Sequence, residues 1–116
     1  MKYMLLIYTD ESADAQPGEP THQELWDAYV ALDQATRKAG VLVDSQPFTP
    51  ISEAVTVEVR DGIPRTVAGP AMDTRLQLSG YYLLECASID EAAGWAAQIP
   101  GAAAGSVEIR PVLELD

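Results

Sequence analysis

Residues 3–8 are all apolar or aromatic, so an extended strand there carries Tyr3, Leu5 and Ile7 on one side and Met4, Leu6 and Tyr8 on the other. A strand that is apolar on both sides needs cover on both sides. This one requirement constrains the fold more than any other feature of the chain. The run gives way to Asp10-Glu11. It is shorter than the ~7–15 apolar residues of a secretory leader and far short of the ~20 of a membrane span. A cytoplasmic protein with no membrane partner is expected, and at 116 residues it has the size of one domain spanning 1–116.

The rest of the chain alternates clear element signals with turn chemistry. Residues 9–20, with Asp10, Glu11, Pro17, Gly18 and Pro20, read as a surface loop. Thr21 and Glu24 form a capping box, and Leu25, Tyr29 and Leu32, with Trp26 and Val30 beside them, recur at the spacing of an amphipathic helix. Arg37-Lys38 suit the negative end of its dipole, and Gly40 supplies a left-handed stop. A strand begins at 41–43 and fades into Gln46-Pro47-Phe48, and a β-branched strand follows at 54–60. Asp61-Gly62 is hairpin chemistry, so 64–67 return antiparallel, with Pro64 marking an edge.

After a loop at 68–78, a strand is expected at 80–86, and Ser88-Ile89-Asp90-Glu91 opens an alanine-rich helix carrying Ala92, Trp95, Ala96 and Ile99. Pro100-Gly101 ends it. The last strand, 106–115, sets Val107, Ile109, Leu113 and Leu115 against Glu108, Arg110 and Glu114. This order is that of a ferredoxin-like α+β fold: a split βαβ antiparallel sheet with two helices on one face and an extra β-hairpin. Both helices then cover the same face. The other face is too apolar for water, which calls for a second copy and makes the expected state a homodimer.

Seven Lys and Arg against eighteen Asp and Glu give a formal net charge of −11. Phosphate backbones would repel such a surface, and the basic residues form no cluster beyond Arg37-Lys38, so nucleic acid is not expected as a partner. The single cysteine, Cys86, falls in a strand and reads as a buried thiol rather than a nucleophile. No Cys and His set suggests a metal, and no phosphate loop, nucleophile elbow or carboxylate pair suggests a cofactor or a fixed mechanism.

The candidate chemistry therefore rests on scattered residues. His22 is the only histidine, placed in the first turn of the first helix, and the one side chain that ordinarily titrates near neutrality. It is a candidate general acid or base in a cleft between helix start and sheet, with Asp10, Asp27 or Asp73 to orient it; the competing reading is a solvent-exposed helix residue. Asp73, Thr74 and Arg75 sit in a loop just before a strand, where a rigid scaffold presents binding groups. Tyr81 and Tyr82 point to opposite faces, so one packs inside and the other lines an interface or pocket. Arg110 and Glu108 on the open face can pair with each other or meet a polar ligand. The candidate catalytic residues are thus His22 and Asp73, and the candidate ligand-binding residues Thr74, Arg75, Tyr81 and Arg110.

Residues 1–8, Gly69-Pro70, Gln77-Leu78-Ser79-Gly80-Tyr81-Tyr82-Leu83, Asp90-Glu91-Ala92 with Trp95-Ala96, and Ile99-Pro100 through Gly105-Ser106-Val107-Glu108-Ile109-Arg110-Pro111-Val112 follow one another along almost the whole chain. In this order they resemble the YCII-related family, in particular its branch named for a D-G-P-F-A-E-T-K-E motif. The resemblance implies a ferredoxin-like dimeric α/β barrel. For some relatives it implies lyase- or isomerase-type chemistry on small molecules, with a His and an Asp at the dimer cleft, and His22 has the position of that histidine. The motif segment here reads Ala68-Gly69-Pro70-Ala71-Met72-Asp73-Thr74-Arg75-Leu76. Ala68 stands at the motif's Asp, Ala71 at its Phe and Leu76 at its last Glu; Thr74 is kept and Arg75 replaces Lys. Either Asp73 substitutes for the missing carboxylate or the chemistry is lost. Two functions follow: a small polar molecule bound in a cleft with acid–base chemistry at His22, or a non-catalytic protein-interaction or regulatory module.

Overall fold

The computed structural model describes residues 1–13 and 20–115. Its elements are β1 (Lys2–Thr9), α1 (Pro20–Lys38), β2 (Leu42–Pro47), β3 (Val55–Arg60), β4 (Ile63–Ala68), β5 (Gln77–Glu85), α2 (Ile89–Ala96) and β6 (Ser106–Pro111). Short 3-10 turns lie at Glu11–Ala13, Ile51–Glu53 and Pro100–Ala103. The doubly apolar β1 sits inside a four-stranded sheet of order β2-β5-β1-β6, in which each neighbouring pair is antiparallel. That is the split βαβ arrangement of an α+β, ferredoxin-like fold.

Register decides which residues share a face. Tyr3 pairs with Leu84 and Leu5 with Tyr82. With Ile7 they form the buried side, against Leu32 and Thr36 of α1 and Ala92 and Ala96 of α2. Leu5 and Leu84 are 0% exposed. Alanine at the α2 contact lets that helix approach closely, and the buried Thr36 hydroxyl donates to the Leu32 carbonyl at 2.9 Å, so no polar group is left unmatched there. Ser88 caps α2 by accepting from the Glu91 N–H at 3.2 Å, and the Glu91 carboxylate accepts from the Ala87 N–H at 2.9 Å.

The opposite face carries Met4 beside Leu83 and Arg110, and Leu6 beside Tyr81 and Glu108. Among the described residues no helix covers it. Met4, Leu6, Tyr8, Tyr81 and Leu83 are half-buried only by one another and their neighbours, with Asp44 and Gln46 at the β2 rim. Strands β3 and β4 form a separate two-stranded sheet. Asp61 and Gly62 both have positive φ, 53° and 76°, which is the backbone of a tight type I′ hairpin turn. One hairpin face is apolar, with Val55, Val57 and Val59 at 63%, 64% and 58% exposed. The other is charged, with Glu58 held between Arg65 at 2.9 Å and Arg60 at 3.8 Å. The molecule is accordingly flat, 47 × 46 × 18 Å with a radius of gyration of 16.0 Å. A compact chain of this length would have roughly 13 Å.

Four boundaries differ from expectation. Strand β5 starts at Gln77, inside the segment expected as a loop, because Gln77 and Leu78 still pair with Thr9 and Tyr8 of β1, and it ends at Glu85, one residue before Cys86. Helix α1 starts at Pro20, where a proline costs no hydrogen bond, so Thr21 lies within the helix rather than before it; a capping contact by its side chain lies outside the described residues, as do loop positions 14–19. Helix α2 ends at Ala96 and leaves Ile99 to a following turn, still 2% exposed. Strand β6 stops at Pro111, opposite Tyr3, because β1 has almost no residues left to pair; one further bond, Val112 N–H to the Lys2 carbonyl at 2.9 Å, ends the ladder. Leu113 and Leu115 are consequently 82% and 85% exposed. No helix among the described residues is long and apolar enough to cross a membrane.

Candidate functional site

A cleft forms where the hairpin leaves the sheet. Pro47 and Pro50 steer the chain away from β2, while the Phe48 N–H still donates to the Ser79 carbonyl at 2.9 Å and keeps Phe48 against β5. Its ring lies 6.0 Å from that of Tyr81. The turn at Ile51–Glu53 is tied to the end of β1 by the Ile51 N–H, which donates to the Glu11 carboxylate at 2.9 Å. The hairpin closes at its base with the Gly69 N–H on the Ala54 carbonyl, 2.8 Å, and the Thr56 hydroxyl on the Gly69 carbonyl, 2.8 Å.

Between the hairpin and β5, the loop over 70–76 is held by one side chain. Gln77, 9% exposed, donates its amide N–H groups to the carbonyls of Met72 at 2.7 Å and Thr74 at 2.9 Å. The Thr74 hydroxyl donates to the Leu76 carbonyl at 2.8 Å. These contacts leave a cleft of about 720 Å³. Tyr8, Phe48, Ile51, Met72, Leu76 and Leu78 give it a mainly apolar wall, with Glu53, Thr49 and Thr74 as its polar elements. It is thus lined by the same segment, 70–76, in which this chain carries Ala71 and Leu76 in place of bulkier or charged residues of the motif.

The candidate residues are not gathered together. Thr74 lines the cleft and Tyr81 stands beside it through Phe48. His22, Asp73, Arg75 and Arg110 do not line it. His22 is half-buried in the first turn of α1, and among the described residues no carboxylate bonds to it. The three aspartates suggested for it are otherwise placed: Asp27 accepts from the Gln23 amide at 2.9 Å, Asp10 is taken by Ser12 and Arg75, and Asp73 is exposed with no side-chain hydrogen bond among the described residues. Arg110 reaches Glu108 at 3.4 Å, the pairing of structural charges.

Electrostatics follow the same contacts. The Ser12 hydroxyl and N–H, at 2.7 and 3.0 Å, hold the Asp10 carboxyl below its ordinary value, with Arg75 at 3.5 Å adding a smaller pull. The Tyr81 hydroxyl donates to Asp44 at 2.5 Å, and this bond, then desolvation, pushes its ionisation above the usual range. Burial does the same to the Tyr82 hydroxyl, reinforced by the Asp33 charge. Burial, then the Glu91 charge, raises the Cys86 thiol, which is therefore a poor nucleophile. Among the described residues no group of three His, Cys, Asp or Glu side chains could hold a metal.

Sequence reasoning missed the cleft's principal parts, Gln77, Phe48, Met72 and Glu53. A usable signal existed for two of them. Phe48 sits between prolines at 47 and 50, which end a strand near it, and Gln77 precedes the apolar run Tyr81-Tyr82-Leu83-Leu84.

The family model for the YCII-related domain matches residues 1–116. An uncharacterised protein of Rhizobium meliloti (strain 1021) is 32% identical over 114 residues, which cover 97% of this chain and 92% of that protein. A match over the full length, together with the α+β sheet order found above, establishes that the chain belongs to the YCII-related family.

Proposed function

We propose that the protein is a cytoplasmic homodimer that binds a small molecule in the cleft at the hairpin base. The observation that carries this reading is the cleft itself. Its volume of about 720 Å³ falls within the range of small-molecule sites, and its apolar wall with few polar groups is the usual composition of such sites. The lining favours an amphipathic ligand over the small polar one expected from sequence.

A second copy is supported by the open sheet face and the valine side of the hairpin. Four strands about 4.8 Å apart and some six residues long give a flat footprint of roughly 400 Å², and the hairpin roughly 200 Å² more. Corrugated side-chain surface exceeds its flat footprint, which brings the two patches near the ~800 Å² per partner of stable interfaces. Stacking two open faces yields the dimeric barrel. The lone buried Cys86 suits a reducing compartment.

Acid–base turnover at His22 is the finer reading, and it draws less support, because His22 does not line the cleft and among the described residues no carboxylate bonds to it. A fragment screen by thermal shift tests the proposal, with Ala71→Trp as the variant that fills the cleft. Hits that raise the melting temperature of the native protein and lose their effect in the variant support it; hits unaffected by the filling, or none at all, refute it. His22→Ala is expected to leave binding unchanged. The exposed strip Val55-Val57-Val59 favours, as a second reading, a module that recruits another protein; that reading requires the strip to stay open in the purified protein.

A further inference from the structure

We propose that the cleft selects a ligand whose apolar body carries a protonated amine; this rests on the cleft being a binding site. The chemistry of the lining is one-sided. Glu53 is the only charged residue in it, exposed and without a side-chain hydrogen bond or ion pair among the described residues, and no Lys or Arg lines it. Behind Ile51, the Glu11 carboxylate lies 2.9 Å from that residue's N–H, which puts a second negative charge against the same wall. The loop's own basic residue, Arg75, is drawn off to Asp10 at 3.5 Å and lies outside the lining.

The donors of the loop are also spent. The Gln77 amide N–H groups go to the carbonyls of Met72 and Thr74, and the Thr74 hydroxyl goes to the carbonyl of Leu76. An anionic ligand would find little to accept from and a carboxylate to repel it. An ammonium would find the Glu53 carboxylate and the rings of Phe48 and Tyr8, whose faces attract cations. With a net charge of −11 the whole molecule biases approach the same way.

Three matched probes test this by NMR titration of the intact protein at neutral pH: 2-phenylethylamine, 2-phenylethanol and 3-phenylpropanoate. The amine is expected to bind about three- to tenfold more tightly than the alcohol, an advantage that salt reduces, with the carboxylate weakest. Glu53→Gln, at an exposed position without side-chain bonds among the described residues, is expected to remove most of the amine's advantage over the alcohol. Equal binding of amine and carboxylate, or an amine preference undiminished by Glu53→Gln, overturns the proposal while binding of the alcohol in the cleft keeps the site itself. Failure of all three probes to bind overturns both.

Discussion

Gln77 is the side chain on which the shape of the cleft depends, and Gln77→Met isolates its contribution. Methionine keeps the length and flexibility of the side chain but has no N–H to give. Two hydrogen bonds, 2.7 Å to the Met72 carbonyl and 2.9 Å to the Thr74 carbonyl, are lost, and the residue is 9% exposed, so water replaces them poorly. At ~0.5–1.5 kcal/mol for each net bond the cost is about 1–3 kcal/mol. For a chain of this size that corresponds to a fall in Tm of roughly 4–15 °C. Calorimetry reads the fall, and hydrogen exchange locates it: the amides over 70–76 should exchange faster, while those of Leu5 and Leu84 keep their ranking as the slowest. A Tm within about a degree of the native value with unchanged exchange in the loop would refute the claim that Gln77 holds this wall. Loss of cleft ligands should accompany the loosened loop.

Leu84→Ala, at a fully buried site facing Tyr3 and Leu42, should lower the unfolding free energy in urea by about 3 kcal/mol, because the surrounding strands cannot collapse into the space. The Asp10 carboxyl should titrate by NMR below 3.8, and Ser12→Ala should move it back towards that value more than Arg75→Ala does. Since its folded value is depressed, its stabilising contribution is present above the ordinary carboxylate range and lost as pH falls through the folded value. A normal Asp10 titration would contradict the Ser12 contacts.

The four-stranded sheet was legible because its signals are local and consistent. The double apolar alternation of residues 3–8 called for a strand buried on both faces, the Asp61-Gly62 pair for a tight turn, and Ser88 with Glu91 for a helix start; the strand, the turn and the helix start are found where expected, with only the Tyr3, Leu5 and Ile7 face of the strand fully buried. The errors fall where pairing partners decide. Leu113 and Leu115 keep a strand's alternation, yet β1 has run out of residues opposite them, which no pattern within 106–115 can reveal. The site was less legible. A cleft arises from segments far apart in sequence, β1, the 47–54 stretch and the 70–78 loop, and none carries a motif that announces it. Thr74 was found because loops before strands commonly present binding groups. Gln77 was missed because its work, satisfying two loop carbonyls, is visible only once the loop has folded back.

The proposed second copy of the chain would close the uncovered face of the sheet, with Met4, Leu6, Tyr8, Tyr81 and Leu83. Sedimentation equilibrium across micromolar concentrations measures this directly. A mass twice the 12.5 kDa of the chain, reverting to one chain in a folded Leu6→Lys variant, is the result the account requires. A native protein that sediments at 12.5 kDa throughout that range would contradict it.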